Sequence, residues 1–294
     1  MKALYLLAAT SVIFLVPHGA HAAESYDNCT GYITSVPTTI TTQGTWCLKS
    51  DVSAAIASGA AITVGVNNVT LDCNGFKLGG LAAGVGTLAK GVHAKDRVGV
   101  TVRHCNIRGF HYGVLFEGGA GHVVEDDTFY GNTFAGASAT TVDSVIIRDS
   151  VFTDTGGSSV TSWPNPVQVV GGSGAIVSDN VINGVVPGGT SGNVDGIQMS
   201  STARGAVVSG NRIFGLNAGT NGTATGITLS PYGKSLDNIV DDINSGGGGS
   251  SSRGVFCLSG TASDQGIVRN TVVTRTTNFW AGSCVEAGGN VHRP

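Results

Sequence analysis

A short phrase beginning with glycine returns along this chain at near-regular intervals, and no other feature restricts the possible folds as strongly. It reads Gly91-Val92-His93-Ala94, Gly113-Val114-Leu115-Phe116, Gly196-Ile197-Gln198-Met199, Gly226-Ile227-Thr228-Leu229 and Gly254-Val255-Phe256-Cys257, with weaker copies at Gly136 and at Val167 to Val170. The first two copies start 22 residues apart and the third and fourth 30 apart. A second phrase follows each copy: an apolar strand, a polar corner, then one more apolar residue. Val100-Thr101-Val102-Arg103-His104-Cys105 and Ile176-Val177-Ser178-Asp179-Asn180 are examples. Two strands with their corners, repeated about eight times, read as coils of one solenoid. Strands this short are unstable alone. Stacked about 4.8 Å apart, each pairs with its equivalents above and below, and the coils close a common interior.

Alternation along the strands assigns faces. Val92, Ala94, Val114, Phe116, Ile197, Met199, Ile227 and Leu229 fall inward; His93, Lys95, Leu115, Glu117, Gln198, Ser200, Thr228 and Ser230 fall outward. Small, Asn-rich corners in register suit tight turns whose side-chain amides bond along the stack. The cysteines obey the same register. Cys257 and Cys284 lie one coil apart in corresponding strands, Cys73 and Cys105 share a corner of consecutive coils, and Cys29 and Cys47 close an N-terminal loop. Three disulfides leave no odd thiol. The chain has neither the CxxC pairs nor the paired histidines that metal ligation would need.

Met1 and Lys2 precede an apolar run over residues 3–16, and Gly19-Ala20-His21-Ala22-Ala23 supplies a small-residue cleavage site. This is the form of a signal peptide, residues 1–22, so the mature protein is expected to be secreted or periplasmic. No later run approaches the roughly 18 apolar residues of a membrane helix. Residues 23–60 are expected to form an N-terminal cap segment: the disulfide loop, then a short helix over 50–59, where capping residues precede an Ala-rich stretch and a glycine stop. Such a helix would cover the open strand edges of the solenoid, which takes residues 61–294 as one domain. Longer connections fall at 154–165, 184–195, 215–225 and 244–253, the last with a Gly/Ser tract. Glycine is 46 of 294 residues and charged residues are 12%. That is a strand-and-turn composition without the clustered Lys and Arg of a nucleic-acid surface.

Three phrases carry a family likeness: Asn68-Val69-Thr70-Leu71-Asp72-Cys73-Asn74-Gly75, Val100-Thr101-Val102-Arg103-His104-Cys105-Asn106-Ile107-Arg108-Gly109-Phe110 and Val177-Ser178-Asp179-Asn180-Val181-Ile182. With them the sequence resembles the pectate-lyase-like superfamily, and within it bacterial exported proteins with generic parallel β-helix repeats. The resemblance covers roughly residues 61–291 and implies an all-β, single-stranded right-handed parallel β-helix. It also implies an outer groove beside the Gly-phrase strand, where many such proteins bind, cleave or epimerise acidic polysaccharides. Lyases of the superfamily place Ca-binding carboxylates and a catalytic Arg or Lys there. The outward positions here are His93, Lys95, Leu115, Glu117, Gln168, Gln198, Ser200, Thr228, Ser230 and Phe256. They include one carboxylate and no cluster, so no cofactor is expected and a Ca-dependent lyase is disfavoured.

Three groups of side chains are candidates for function. His93, Lys95 and Glu117 share one outer face over adjacent coils. They could abstract a proton beside a uronate, with His93 as base and Lys95 neutralising charge, or form a solvated face with a Lys95–Glu117 ion pair. The corner column His104, Asp126, Asp149 and Asp179, flanked by Arg103, Glu125 and Arg148, offers Asp126, Asp149 and Asp179 as metal ligands, or simply as corner residues compensated by arginine. Trp163 precedes Gln168 and stands near Asp195 and Gln198; an indole face with amides is a common way to hold a sugar ring, and equally a way to pack a loop. The resulting expectation is an exported β-helix that binds polysaccharide or cell-surface glycan. The alternative is an enzyme acting on an acidic glycan.

Overall fold

The computed structural model describes residues 28–188, 192–248, 250–258 and 265–294, so the expected signal peptide lies outside the described residues. The chain winds as a parallel β-solenoid of about nine turns. Three parallel sheets run its length, with eleven, ten and ten strands. The first of the ten-stranded sheets carries the glycine phrases (Lys90–Val98, Tyr112–Ala120, Ala135–Thr140, Val167–Val170, Val194–Met199, Ala224–Leu229, Ser252–Cys257) and is called the tetrad sheet below. The eleven-stranded sheet carries the second phrase (Val100–Arg103, Val123–Glu125, Ile146–Arg148, Ile176–Ser178).

Each coil therefore has three strands, where the sequence pattern suggested two. The third sheet is built from short strands such as Asn106–Arg108 and Thr128–Tyr130. Each contributes one central core side chain: Ile107, Phe129, Phe152, Ile182, Ile213, Val240 and Val273 are all fully buried. Where a second core residue follows, it comes three positions on, past a left-handed residue, as Val185 follows Ile182 and Leu216 follows Ile213, so there is no alternation to detect.

That third column explains the leading glycine of the repeat. A Cβ on Gly91 would lie 2.5 Å from the Gly113 carbonyl and 3.0 Å from Ile107; on Gly113 it would lie 2.5 Å from the Gly136 carbonyl and 2.8 Å from Phe129. The core residue of the third sheet occupies the space that a side chain would need. The next positions fill the interior in register: Val92, Val114, Ala137, Val167, Ile197, Ile227 and Val255 are paired coil to coil and fully buried.

Two polar columns hold the turns. Asn74, His104, Asp126, Asp149, Asp179, Asp237 and Asn270 all have φ between 49° and 57°. Asn and Asp tolerate this left-handed corner best among residues with a side chain. One or two residues on, a buried ladder runs along the axis: Asn180 donates Nδ2 to Asn211 Oδ1 at 3.0 Å, and Asn211 does the same to Asn238 at 3.0 Å. The expected amide stacking is thus realised inside the coil. The disulfides Cys29–Cys47, Cys73–Cys105 and Cys257–Cys284 form as the register requires, with Cα separations of 5.9, 4.7 and 5.2 Å.

The helix expected over 50–59 does not form. Val52–Ser53 is a strand paired with Leu78 and Gly79, and Val52 and Ala54 are buried in the interior. Sheets already begin at Gly31–Ile33 and Gly44–Leu48, so this stretch must supply the third strand of a coil. Helix propensity differs by only about 0.7 kcal/mol per residue at most among ordinary residues, too little to outweigh a coil's pairing and burial.

Candidate functional site

The long connections all leave the third sheet and enter the tetrad sheet at one edge of the solenoid. Stacked there, residues 157–166, 187–188, 192–193 and 218–223 form a wall beside the outer face of the tetrad sheet. Within that wall and face lies a cleft of about 180 Å³. Trp163, Asn193 and Thr223 come from the wall; Asp195, Gln198, Ser200, Thr225, Thr228, Arg253 and Phe256 come from the face.

Trp163 is 44% exposed and presents its ring at the cleft, while Asp195 is only 2% exposed. The Asp195 carboxyl accepts a hydrogen bond from Thr228 Oγ1 at 3.1 Å, and further ones from the Thr225 and Trp163 side chains. Burial nevertheless raises its pKa to about 7, against the pull of those donors and of the Arg253 charge. Arg253 lies over the Phe256 ring, 4.8 Å from its centroid. On the floor, Gln168 Nε2 donates to Gln198 Oε1 at 2.8 Å, and Ser138 Oγ donates to Gln168 Oε1 at 3.2 Å. Aromatic faces, a carboxyl near its midpoint at neutral pH, amides, hydroxyls and one guanidinium therefore surround a single small volume.

Three of the four residues singled out with Trp163, namely Trp163 itself, Asp195 and Gln198, line this cleft, and Gln168 supports Gln198 from behind. Thr225 and Arg253 escaped the sequence reading. Their signal is the position just before the glycine: Asp195, Thr225 and Arg253 pair in register across three coils, each preceding Gly196, Gly226 or Gly254.

His93 and Glu117 meet, with Nε2 2.5 Å from Oε2. Lys95 stands opposite Glu117 in the register, yet the carboxylate turns diagonally to the imidazole, and the expected Lys95–Glu117 pair is replaced by His93–Glu117. Along the column His93, Leu115, Ser138, Gln168, this pair lies three coils from Gln168, about 14 Å at strand spacing. Leu115 and Ser138 between them are 5% and 2% exposed, and farther on Thr228 and Ser230 are buried too. Alternation points these four outward as expected, but each is buried among its neighbours, Thr228 at the floor of the cleft. The structure thus keeps the His93 group and the Trp163 group apart.

Asp126, Asp149 and Asp179 occupy the left-handed corner one above another. Arg148 bonds Glu125 at 2.5 Å, and Arg103 bonds the buried Asp72 at 2.9 Å. Among the described residues no three His, Cys, Asp or Glu side chains converge as metal ligands would. No helix among them is long and apolar enough to cross a membrane.

A family model for the right-handed β-helix region matches residues 90–273. No curated protein matches. Among solved structures, a pectate lyase, Pel9A, aligns at TM-score 0.54 and 11% identity, covering 84% of this chain and 70% of its own. An alginate lyase from Paenibacillus sp. str. FPU-7 aligns at 0.51 and 14%, covering 90% and 96%. DFA-IIIase from Arthrobacter chlorophenolicus A6, in complex with GF2, aligns at 0.50 and 10%, covering 84% and 70%. At such identities the likeness is one of fold.

Proposed function

The chain belongs to the right-handed β-helix family, and from that premise we propose that it is an exported protein that binds a polysaccharide or cell-surface glycan in the cleft between Trp163 and Phe256. The observation that carries this reading is the half-exposed Trp163 ring facing the same small volume as Gln198, Asp195 and Arg253. A sugar ring has an apolar face of C–H groups and an equator of hydroxyls; an indole with polar side chains around it matches both. Two of the aligned structures act, by name, on pectate and alginate, which supports a polysaccharide as the ligand class. Export is supported by the leader-like residues 1–22 and by three disulfides, which persist in oxidising compartments.

The test is binding of the purified protein to polygalacturonate, alginate and neutral glucans and xylans, by affinity electrophoresis and calorimetry. Trp163→Ala should weaken binding to the retained polymer by about tenfold, the equivalent of roughly 1.4 kcal/mol. Equal binding by this variant, or retention of no polymer by the native protein, would overturn the reading.

A second reading, acid-base chemistry on an acidic glycan at His93, Lys95 and Glu117, is favoured by the short His93–Glu117 contact. A carboxylate that orients an imidazole is a recurrent arrangement for a general base. Unsaturated uronate absorbance or new reducing ends with the same polymers, abolished by His93→Ala, would support it.

A further inference from the structure

The polar side chains on the cleft floor form a chain of hydrogen bonds whose direction has chemical consequences. Ser138, Gln168, Gln198 and Thr228 follow one another in register on successive coils of the tetrad sheet. Thr228 has one hydroxyl proton and gives it to Asp195 Oδ2 at 3.1 Å. With that proton committed, Thr228 offers its stack neighbour Gln198 only lone pairs. A carboxamide beside an acceptor-only group turns its NH₂ toward it and its oxygen away. That is the orientation present: Gln198 Oε1 faces back and accepts from Gln168 Nε2 at 2.8 Å, and Gln168 Oε1 in turn accepts from Ser138 at 3.2 Å. Ser138 can donate or accept, so it does not fix the direction from its own end. Gln198 donates to no described residue and lines the cleft, so its NH₂ is the group left for a ligand.

We propose that Asp195, acting through Thr228, and Gln168, acting from the opposite side, are positioning residues that orient the Gln198 carboxamide to present N–H into the cleft, so that this subsite selects an acceptor oxygen on the ligand: a carboxylate, an acyl carbonyl or an ether. Arg253 on the same face adds a second donor. A ligand group that must donate finds no acceptor in Gln198. The selectivity rests on the glycan reading above; the orientation does not.

The deciding substitution is Gln168→Glu. A carboxylate at 168 still accepts from Ser138 but can only accept from Gln198, and so draws the Gln198 NH₂ back out of the cleft. Gln168→Leu, which can neither donate nor accept, removes the support without reversing it. In glutamine-labelled protein followed by NMR, the Gln198 side-chain N–H of the native chain should exchange freely with solvent and that of Gln168 slowly. Gln168→Glu should slow Gln198 exchange at least tenfold, a change of about 1.4 kcal/mol in protection, and Gln168→Leu should not. With polygalacturonate as probe, affinity should fall in the order native, Leu, Glu, the Glu variant by about tenfold or more. A space-filling role for Gln168 would instead make Leu the equal or the worse of the two. A Gln198 amide already protected in the native protein, or unchanged exchange in Gln168→Glu, would overturn the orientation. Retention of none of the polymers by the native protein would defeat the glycan reading and the selectivity, while the exchange result still decides the orientation.

Discussion

Asp127 shows how one side chain can occupy a place in a column built for another. The ladder beside the left-handed corner is asparagine in three successive coils, and each amide donates Nδ2 to the carbonyl of the core residue one coil back: Asn180 to Ile147, Asn211 to Val177 and Asn238 to Val208. Asp127 takes the equivalent place nearer the N-terminus, where its Oδ1 accepts from the Cys105 N–H at 2.7 Å. Its Oδ2 is buried with no partner for a carboxylate oxygen. In register, the carbonyl one coil back belongs to Val102, which a protonated Oδ2 can serve as the amide does. Burial raises the Asp127 pKa well above 3.8. The folded state therefore holds this proton more tightly than the unfolded chain, so the stability it lends is complete below about pH 4 and is lost as pH rises toward the raised value. Asp127→Asn should remove that loss: urea unfolding of the variant should show a gain over the native protein that grows from pH 4 to pH 8 and reaches about 1–3 kcal/mol. A gain of constant size across that range would count against the assignment.

At the scale of the strand, the repeat was legible where it spans alternating residues and illegible where it does not. Val92 and Ala94, or Ile197 and Met199, announce a face because two inward residues bracket an outward one. The third sheet sends in Phe129 alone in one coil and Ile182 with Val185, three positions on, in another, and so leaves no period of two in the sequence. Ala54 and its neighbours misled for the opposite reason, because local helix signals were strong where pairing with Leu78 and Gly79 decides. The cleft was partly legible. Trp163, Asp195 and Gln198 are conspicuous residue types, whereas Arg253 and Thr225 become informative only once the residue before each glycine is known to face the same way. The glycines themselves make a testable claim about packing between sheets. Gly113→Ala places a methyl against Phe129 and should cost about 1–3 kcal/mol. Combining it with Phe129→Leu, which vacates part of that space, should cost at least about 0.5 kcal/mol less than the sum of the two single changes. Strict additivity in denaturant unfolding would show that the two positions do not compete.

In the whole molecule, stability is close to a sum over neighbours, because each coil touches only the coils beside it. An interior coil pairs on both sides; a terminal coil pairs on one and frays at lower free energy. The disulfides sit where this asymmetry is greatest. Cys29–Cys47 and Cys73–Cys105 bind the first coils, and Cys257–Cys284 ties the strand Ser252–Cys257 to the final strands, among which Val285 and Val291 are 41% and 40% exposed. Closing the 27-residue separation between Cys257 and Cys284 should be worth about 3.5 kcal/mol by loop entropy alone. In a nearest-neighbour solenoid that loss stays local. Cys257→Ser with Cys284→Ser should raise hydrogen exchange in the strands from Ser252–Cys257 to Val291–Arg293, with the increase fading over the next coil or two. Protection of the interior strands Thr128–Tyr130 and Ile176–Ser178 should stay unchanged. The cleft shares Phe256 and Arg253 with the loosened coil, so the same variant should bind glycan more weakly, although neither cysteine lines the cleft. If exchange rose uniformly from end to end, the coils would be unfolding as one cooperative block, and the disulfide's effect could not be confined to its own end of the rod.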